Sequence, residues 1–296
     1  MDFQLFCQQL INGVSLGALY GLIAVGYTMV YGIIRLINFA HGDIVMMSCY
    51  FAFFGYALFN LPWWGAFLGA TALTTLLGIL IDMGAYRPVR SAPRISALIT
   101  AIGVSFLLEN FALVVWGGRP KAFFRPDAFG QVVSIGDVHI LLLSIWTPAI
   151  TISLLLVLLY IIHRTKAGIA MRALARDMET TRLMGVNVNR IISLTFALGS
   201  AMAAAGGMMW AMKYPQVNPF LGVIPGLKAF VAAVLGGIGN VAGAVVGGFV
   251  LGVAEILLVA VAPALAGYRD AIAFVVLIVI LLFRPTGIMG EPIVDK

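Results

Sequence analysis

The chain has 296 residues, 62% of them hydrophobic and 10% charged, with a formal net charge of +6. A soluble domain carries about 25% charged residues, so a chain this apolar would expose large greasy patches in water, and its solvent is lipid. The basic excess is no nucleic-acid signal, because the Lys and Arg residues fall in the breaks between apolar runs, where they mark topology and meet the lipid surface.

A helix needs about 20 apolar residues to span a bilayer. In chain order the candidates are Leu5–Tyr31, Ile44–Leu61, Trp63–Met83, Ile95–Trp116, Val138–Ile162, Ile191–Met212, Gly222–Ile238, Val241–Ala262 and Ala271–Phe283. The first is longer than needed, while Gly222–Ile238 and Ala271–Phe283 are short. The expectation is an all-α polytopic membrane protein, one transmembrane unit over residues 1–296. About eight spans are expected, with one or two broken or re-entrant pieces. The first run has no basic segment before it and no small-residue cleavage site, so it reads as a retained span. Cys7 and Cys49 each lie inside an apolar run and read as small buried hydrophobes.

The opening stretch Leu5–Leu61 is too long for two straight spans. Its 57 residues would make a helix of roughly 85 Å, against roughly 60 Å for two crossings. The break falls at Ile37–Asp43, INFAHGD, the one polar cluster there. Two readings stand open. A broken helix with Asn38 as N-cap would aim its positive end at a cavity, as transporters do to meet carboxylates. Alternatively, the cluster is a short cytoplasmic turn with Arg35 and Asp43 solvated.

Tyr86–Arg94 carries Arg87, Arg90 and Arg94, and His163–Arg190 carries six Lys and Arg residues. Two spans separate these loops, so both fall on the cytoplasmic side by the positive-inside rule. Gly117–Asp137 then lies outside, although Arg119, Lys121 and Arg125 make it a partial exception. The tail from Arg284 is expected inside. Glu109 and Glu255 lie within predicted spans, where an ionisable group is a functional candidate by default. For Glu255 a pathway role, an inter-helix hydrogen bond and a structural glutamate all stand open. Lys213 and Lys228 are expected to snorkel.

Glycines form four-residue ladders at Gly13, Gly17 and Gly21 and at Gly239, Gly243 and Gly247, with Gly248 and Gly252 beside the second. This spacing permits close helix packing in lipid. Leu235–Asn240, with Gly236, Gly237 and Asn240, reads as a second break. It resembles the first in being followed by a glycine-spaced helix, a hint of two related halves.

The loop His163–Arg190 is the soluble-looking part. Ala170, Leu174 and Met178 form an apolar stripe, with Arg172, Arg176 and Glu179 on another face. Asp177 can cap a second short turn, Gly185 suits a C′ position, and Asn189 suits the N-cap of the next span. Such a helix would either dock on a soluble partner or rest on lipid. The chain has no G-x-x-x-x-G-K-[ST] phosphate loop, so it does not itself hydrolyse ATP. It also has no G-x-S-x-G or H-E-x-x-H. No metal site or cofactor is expected.

Several stretches together resemble one family. They are NGVSLGALYGLIAVGYTMVYGI at Asn12–Ile33, INFAHGD, AYRPVR at Ala85–Arg90, and MRALARD…LMGVN at Met171–Asn187. GLKAFVAAVLGGIGNVAGAVVGG at Gly226–Gly248 and YRDAIAFVVLIVILLFRPTGIMG at Tyr268–Gly290 complete the set. The chain resembles the permease subunits of branched-chain amino-acid ABC importers, of the LivH type. The resemblance implies alternating access driven by two separate ATP-binding subunits. It also implies a second, related permease forming a heterodimer, and a periplasmic substrate-binding protein. The residues implied to couple to the ATPase are Gly168, Arg172, Ala173, Arg176, Asp177, Leu183 and Gly185. Asn38, His41 and Gly42 would lie at or near the path, and Gly236, Gly237, Asn240 and Glu255 are further candidates for it. Thr181 departs from the family, which often has alanine there. An ion-coupled secondary transporter using Glu255 or Glu109, a passive channel, and a permease for another small amide such as urea remain as alternatives.

Overall fold

The computed structural model describes residues 3–290. Its helices begin with α1 (Phe3–Ile34), α2 (His41–Ala57) and α3 (Trp63–Ile81). A five-residue π-helical turn, Asp82–Tyr86, leads into α4 (Arg87–Val89) and α5 (Arg94–Trp116). Strand β1 (Lys121–Ala122), the short α6 (Asp127–Gly130) and the hairpin β2 (Val132–Ile135) and β3 (Val138–Leu141) follow. Then come α7 (Leu142–Arg164), α8 (Lys166–Arg176), α9 (Met178–Leu183) and α10 (Val188–Lys213). Strand β4 (Gln216–Val217) pairs antiparallel with β1. The chain continues through α11 (Val223–Gly236), α12 (Val241–Val261), a 3-10 turn (Pro263–Tyr268) and α13 (Arg269–Phe283).

Among the described residues, seven helical stretches are long and apolar enough to cross a membrane. Helices α2 and α11, with 17 and 14 residues, are the two short pieces. At 1.5 Å per residue, α11 covers about 21 Å, less than the roughly 30 Å of a hydrocarbon core. One predicted boundary is corrected. The span expected from Val138 starts at Leu142, because Val138–Leu141 pairs with β2 across a turn in which Gly136 has φ +60°.

Helix α1 is the core of the bundle. Every residue from Ser15 to Val30 is buried, against α12, α10, α11 and α7. Small residues make the α1–α12 approach possible. A Cβ on Gly248 would lie 2.3 Å from Gly21 N, and one on Gly252 2.2 Å from Gly17 N. The first glycine ladder therefore meets Gly248 and Gly252. Gly239 instead approaches Gly32, and Gly243 approaches Gly236.

The two faces of the bundle follow from its polar ties. Gln8 Nε2 donates to His139 O at 2.8 Å, placing the start of α1 beside the β2–β3 hairpin. Arg125 Nε donates to Met212 O at 2.8 Å on the same face, so this cation binds carbonyls at the end of α10. The opposite face holds Arg87, Arg90, α8 and α9. The C-terminal segment joins it, with Ile288 N donating to Leu235 O and Met289 N to Gly236 O, both at 2.9 Å. By the positive-inside rule this second face is cytoplasmic, which puts the start of α1 on the other side.

Candidate functional site

Helix α1 ends where Arg35 adopts φ +53°. Six residues, 35–40, separate it from α2. Helix α2 does not begin at the surface. His41, its first residue, is 1% exposed, and its Nε2 lies 3.2 Å from Ile23 O. Ile23 lies about three turns before the end of α1 at Ile34, about 16 Å along the helix axis. Between the two open readings, this geometry is the broken, re-entrant helix.

The predicted cap is corrected. The N-cap is Ala40, with no side-chain cap bond. Asn38 stands two residues too early and is 1% exposed. Its Oδ1 accepts the Tyr86 hydroxyl at 2.8 Å, and its carbonyl accepts from His41 N at 3.0 Å.

The first turn of α11 meets that of α2 inside the bundle. A Cβ on Gly42 would lie 2.5 Å from Gly222 O, and one on Gly222 2.0 Å from Gly42 O. Only glycine fits either position, because both contacts are to backbone. Two positive helix ends thus converge at membrane depth. Beside them lies a cavity of about 250 Å³ lined by Tyr27, Phe39, Gly42, Asp43, Ser105 and Glu109, among others. Ser105 Oγ donates to Asp43 Oδ2 at 2.5 Å.

Among the predicted path residues, Gly42 lines this cavity, and Asn38 and His41 pack behind it. Gly236, Gly237 and Asn240 lie elsewhere, at a junction with the C-terminal segment. There Asn240 Oδ1 caps α12 through Gly243 N at 2.9 Å, and its Nδ2 donates to Met289 O at 2.9 Å. Asn240 therefore caps the helix that follows its break, as Asn38 does not. Tyr27, Asp43 and Ser105 were not singled out as site residues. The available signal was Asp43's place in a polar break within an apolar stretch.

Glu255 is 2% exposed and belongs to a buried ionic cluster. Tyr20 Oη donates to its Oε2 at 3.0 Å. Lys228 and Arg269 both reach its Oε1, and Lys228 Nζ also lies 2.5 Å from Asp270 Oδ1. Lys228 therefore does not snorkel, because a carboxylate is available inside the bundle. Lys213 likewise turns inward, with Nζ donating to Ser15 Oγ at 3.0 Å.

The cytoplasmic element is two helices rather than one. Thr165 caps α8 through Gly168 N at 3.1 Å, and Asp177 caps α9 through Glu179 N at 2.9 Å and Thr180 N at 3.1 Å. Gly185 follows the end of α9 with φ +80°, a helix-stop geometry. Asn187 rather than Asn189 caps α10, accepting from Arg190 N at 3.1 Å. The buried stripe is Gly168, Met171 and Leu174, whereas Met178 is exposed because Asp177 redirects the chain. Arg172 bonds Ile162 O. Ala173 is half-buried, whereas Arg176 and Leu183 are exposed. Leu183 and Met184 stand 83% and 80% exposed at the tip. Thr181 turns its hydroxyl inward to Asp177 O at 2.6 Å.

The neighbouring loop is clamped to α10. Asp82 is fully buried, bonded by Arg90, and accepts from Ser193 Oγ at 2.6 Å. Arg90 Nη1 also donates to Asn189 Oδ1 at 2.9 Å. Ordinary sequence reading misses Asp82 as a hub, since its partner Ser193 is 111 residues away.

A polytopic bundle with two short helices meeting beside a cavity, and a capped helix pair on its cytoplasmic face, has the build of a membrane transport subunit. The chain belongs to the branched-chain amino acid transport system permease component family, whose model matches residues 9–281. It is 42% identical to the high-affinity branched-chain amino acid transport system permease protein LivH of Escherichia coli, covering 100% of this chain and 99% of that protein. It is 42% identical to BraD, the corresponding permease of Pseudomonas aeruginosa, over 98% of each chain. A probable LivH of Methanocaldococcus jannaschii is 26% identical over 91% of this chain and 88% of its own.

Proposed function

We propose that this chain is the permease subunit through which leucine, isoleucine and valine cross the bacterial inner membrane in an ABC importer. The reading rests on end-to-end similarity at 42% identity to permeases named for that transport. Two ATP-binding subunits grip the helix pairs of the two permeases, in this chain α8 and α9, with Arg172, Ala173, Arg176 and Leu183 in or near the contact. Gly168, Asp177 and Gly185 shape the two helices. A second, related permease completes the path, and a periplasmic binding protein delivers the substrate. The energy arrives through the cytoplasmic helix pair, because the chain has no phosphate loop.

The test is ATP-dependent leucine uptake by proteoliposomes holding the complete complex, together with co-purification of the ATP-binding subunits. Arg176→Glu is expected to weaken that association and uptake while the chain still inserts. Leucine accumulation driven by a proton gradient alone, without ATP, would overturn the assignment.

A further inference from the structure

We infer that the cavity between α1, α2, α5 and α11 is an intramembrane site for the ammonium end of an amino acid with an apolar side chain, with Asp43 as its principal anchor and Glu109 as its second. The inference deepens the permease reading and rests on it. Asp43 is 3% exposed and lines the cavity. Its carboxylate takes one hydroxyl, Ser105 Oγ at 2.5 Å, and among the described residues no Lys, Arg or His forms an ion pair with it. Glu109 lines the same cavity and also lacks an ion pair among the described residues. A carboxylate removed from water is stable only when paired or well hydrogen-bonded. Here the hydrogen bonding is partial and the space beside it is empty enough for a partner.

The chemistry of the walls narrows that partner. The cavity of about 250 Å³ is far larger than the ~30 Å³ share of a single water. Phe39, Phe230 and Tyr27 form one aromatic side, with ring centroids 6.2 Å apart for Phe39–Phe230 and 6.0 Å apart for Tyr27–Phe230. A bare metal ion would leave that surface unused. A primary ammonium carrying a branched hydrocarbon chain uses both halves: its N–H groups donate to the carboxylates, and its chain packs on the rings. The other charged cluster of the membrane interior cannot serve this way, since Glu255 is already held by Lys228 and Arg269.

The experiment uses the complete complex, purified with its sister permease and ATP-binding subunits but without the binding protein. Binding of radiolabelled leucine is measured by equilibrium dialysis against two competitors. 3-Methylbutylamine keeps the ammonium and the branched chain; 4-methylpentanoate keeps the carboxylate and the branched chain. The amine is expected to compete far better than the acid, which loses the carboxylate anchors and keeps only the two helix N-termini for its own carboxylate. Asp43→Asn is expected to weaken leucine binding by about tenfold or more, the scale of one lost charged hydrogen bond. Glu109→Gln, at a half-buried position, is expected to weaken it several-fold, and it carries the mutational test if the Asp43 variant does not assemble.

Competition by the acid equal to that by the amine overturns the assignment. So does leucine binding unchanged in both variants. So does the lack of saturable leucine binding by a wild-type complex that still performs ATP-driven uptake with its binding protein. Failure of ATP-driven leucine uptake by the wild-type complex would instead bring down the permease reading, and this inference with it.

Discussion

Tyr86 donates its hydroxyl to Asn38 Oδ1 at 2.8 Å, joining the π-helical turn after α3 to the break before α2. On the same turn, Asp82 accepts from Ser193 in the second turn of α10. Helix α10 follows directly on α9, at the cytoplasmic tip. The helix pair therefore continues directly into α10, polar contacts run from α10 through the π-turn to the break, and the helix that follows the break carries Gly42 at the cavity. π-Turns within helices are frequent at functional positions, and this one places both Asp82 and Tyr86.

Tyr86→Phe is predicted to loosen that connection without unfolding the bundle. The substitution keeps the buried ring but leaves the buried Asn38 Oδ1 without its donor, a cost of about 1–3 kcal/mol. Uptake per ATP hydrolysed should fall several-fold in proteoliposomes, while ATPase activity of the assembled complex persists. An unchanged ratio of leucine moved to ATP consumed would refute the connection.

Leu183→Glu is predicted to weaken capture of the ATP-binding subunits at least tenfold. Leu183 and Met184 are adjacent, apolar and more than three-quarters exposed. Burying one such side chain against a partner contributes about 1.5–3 kcal/mol, and a carboxylate there removes that term and adds desolvation. Met184→Glu should behave alike. The check is the affinity of the ATP-binding subunits for detergent-solubilised permease. Equal affinity for the variants would place the contact elsewhere on α8 and α9.

The parts of this architecture legible in the sequence were those set by local pattern. Apolar length located the spans, the polar cluster at Ile37–Asp43 located the first break, and Asp177 and Gly185 announced how the cytoplasmic helices begin and stop. Whatever depended on distant partners stayed hidden. Asn38 looked like a cap because asparagine caps helices, yet Tyr86, 48 residues away, holds its side chain. Lys228 looked like an end-of-helix lysine because the position of Glu255 opposite it depends on how α11 folds back on α12. Val138–Leu141 looked like the start of a span because a β-branched apolar run fits a strand or a helix equally well until its partner strand is known.

Glu255→Ala is predicted to destabilise the subunit by about 3–5 kcal/mol, the scale for stripping one partner from a buried ion pair. It leaves Lys228 with Asp270 alone, whose side chain is 58% exposed and a weaker partner. It also frees Arg269 at the start of α13. Replacing the pair together, Lys228→Met with Glu255→Leu, should recover much of the loss, because well-packed apolar groups often match a buried pair. Thermal unfolding in detergent checks both. A single substitution as stable as the wild type would show that the cluster does not hold α11, α12 and α13 together.

Gly222→Ala is predicted to abolish uptake while sparing assembly with the ATP-binding subunits. The added Cβ would lie 2.0 Å from Gly42 O and 3.1 Å from Asp43 N. Both atoms are backbone at the start of a helix, so no flexible side chain can move aside, and α2 and α11 must separate. That displaces Gly42 and Asp43, which line the cavity. Helices α8 and α9 lie on the cytoplasmic face and make none of these contacts, so co-purification should survive. Gly69→Ala is the matched control, since its added Cβ would have no neighbour within 4 Å. Wild-type uptake by Gly222→Ala would show that the approach of the two helix ends is not required for transport.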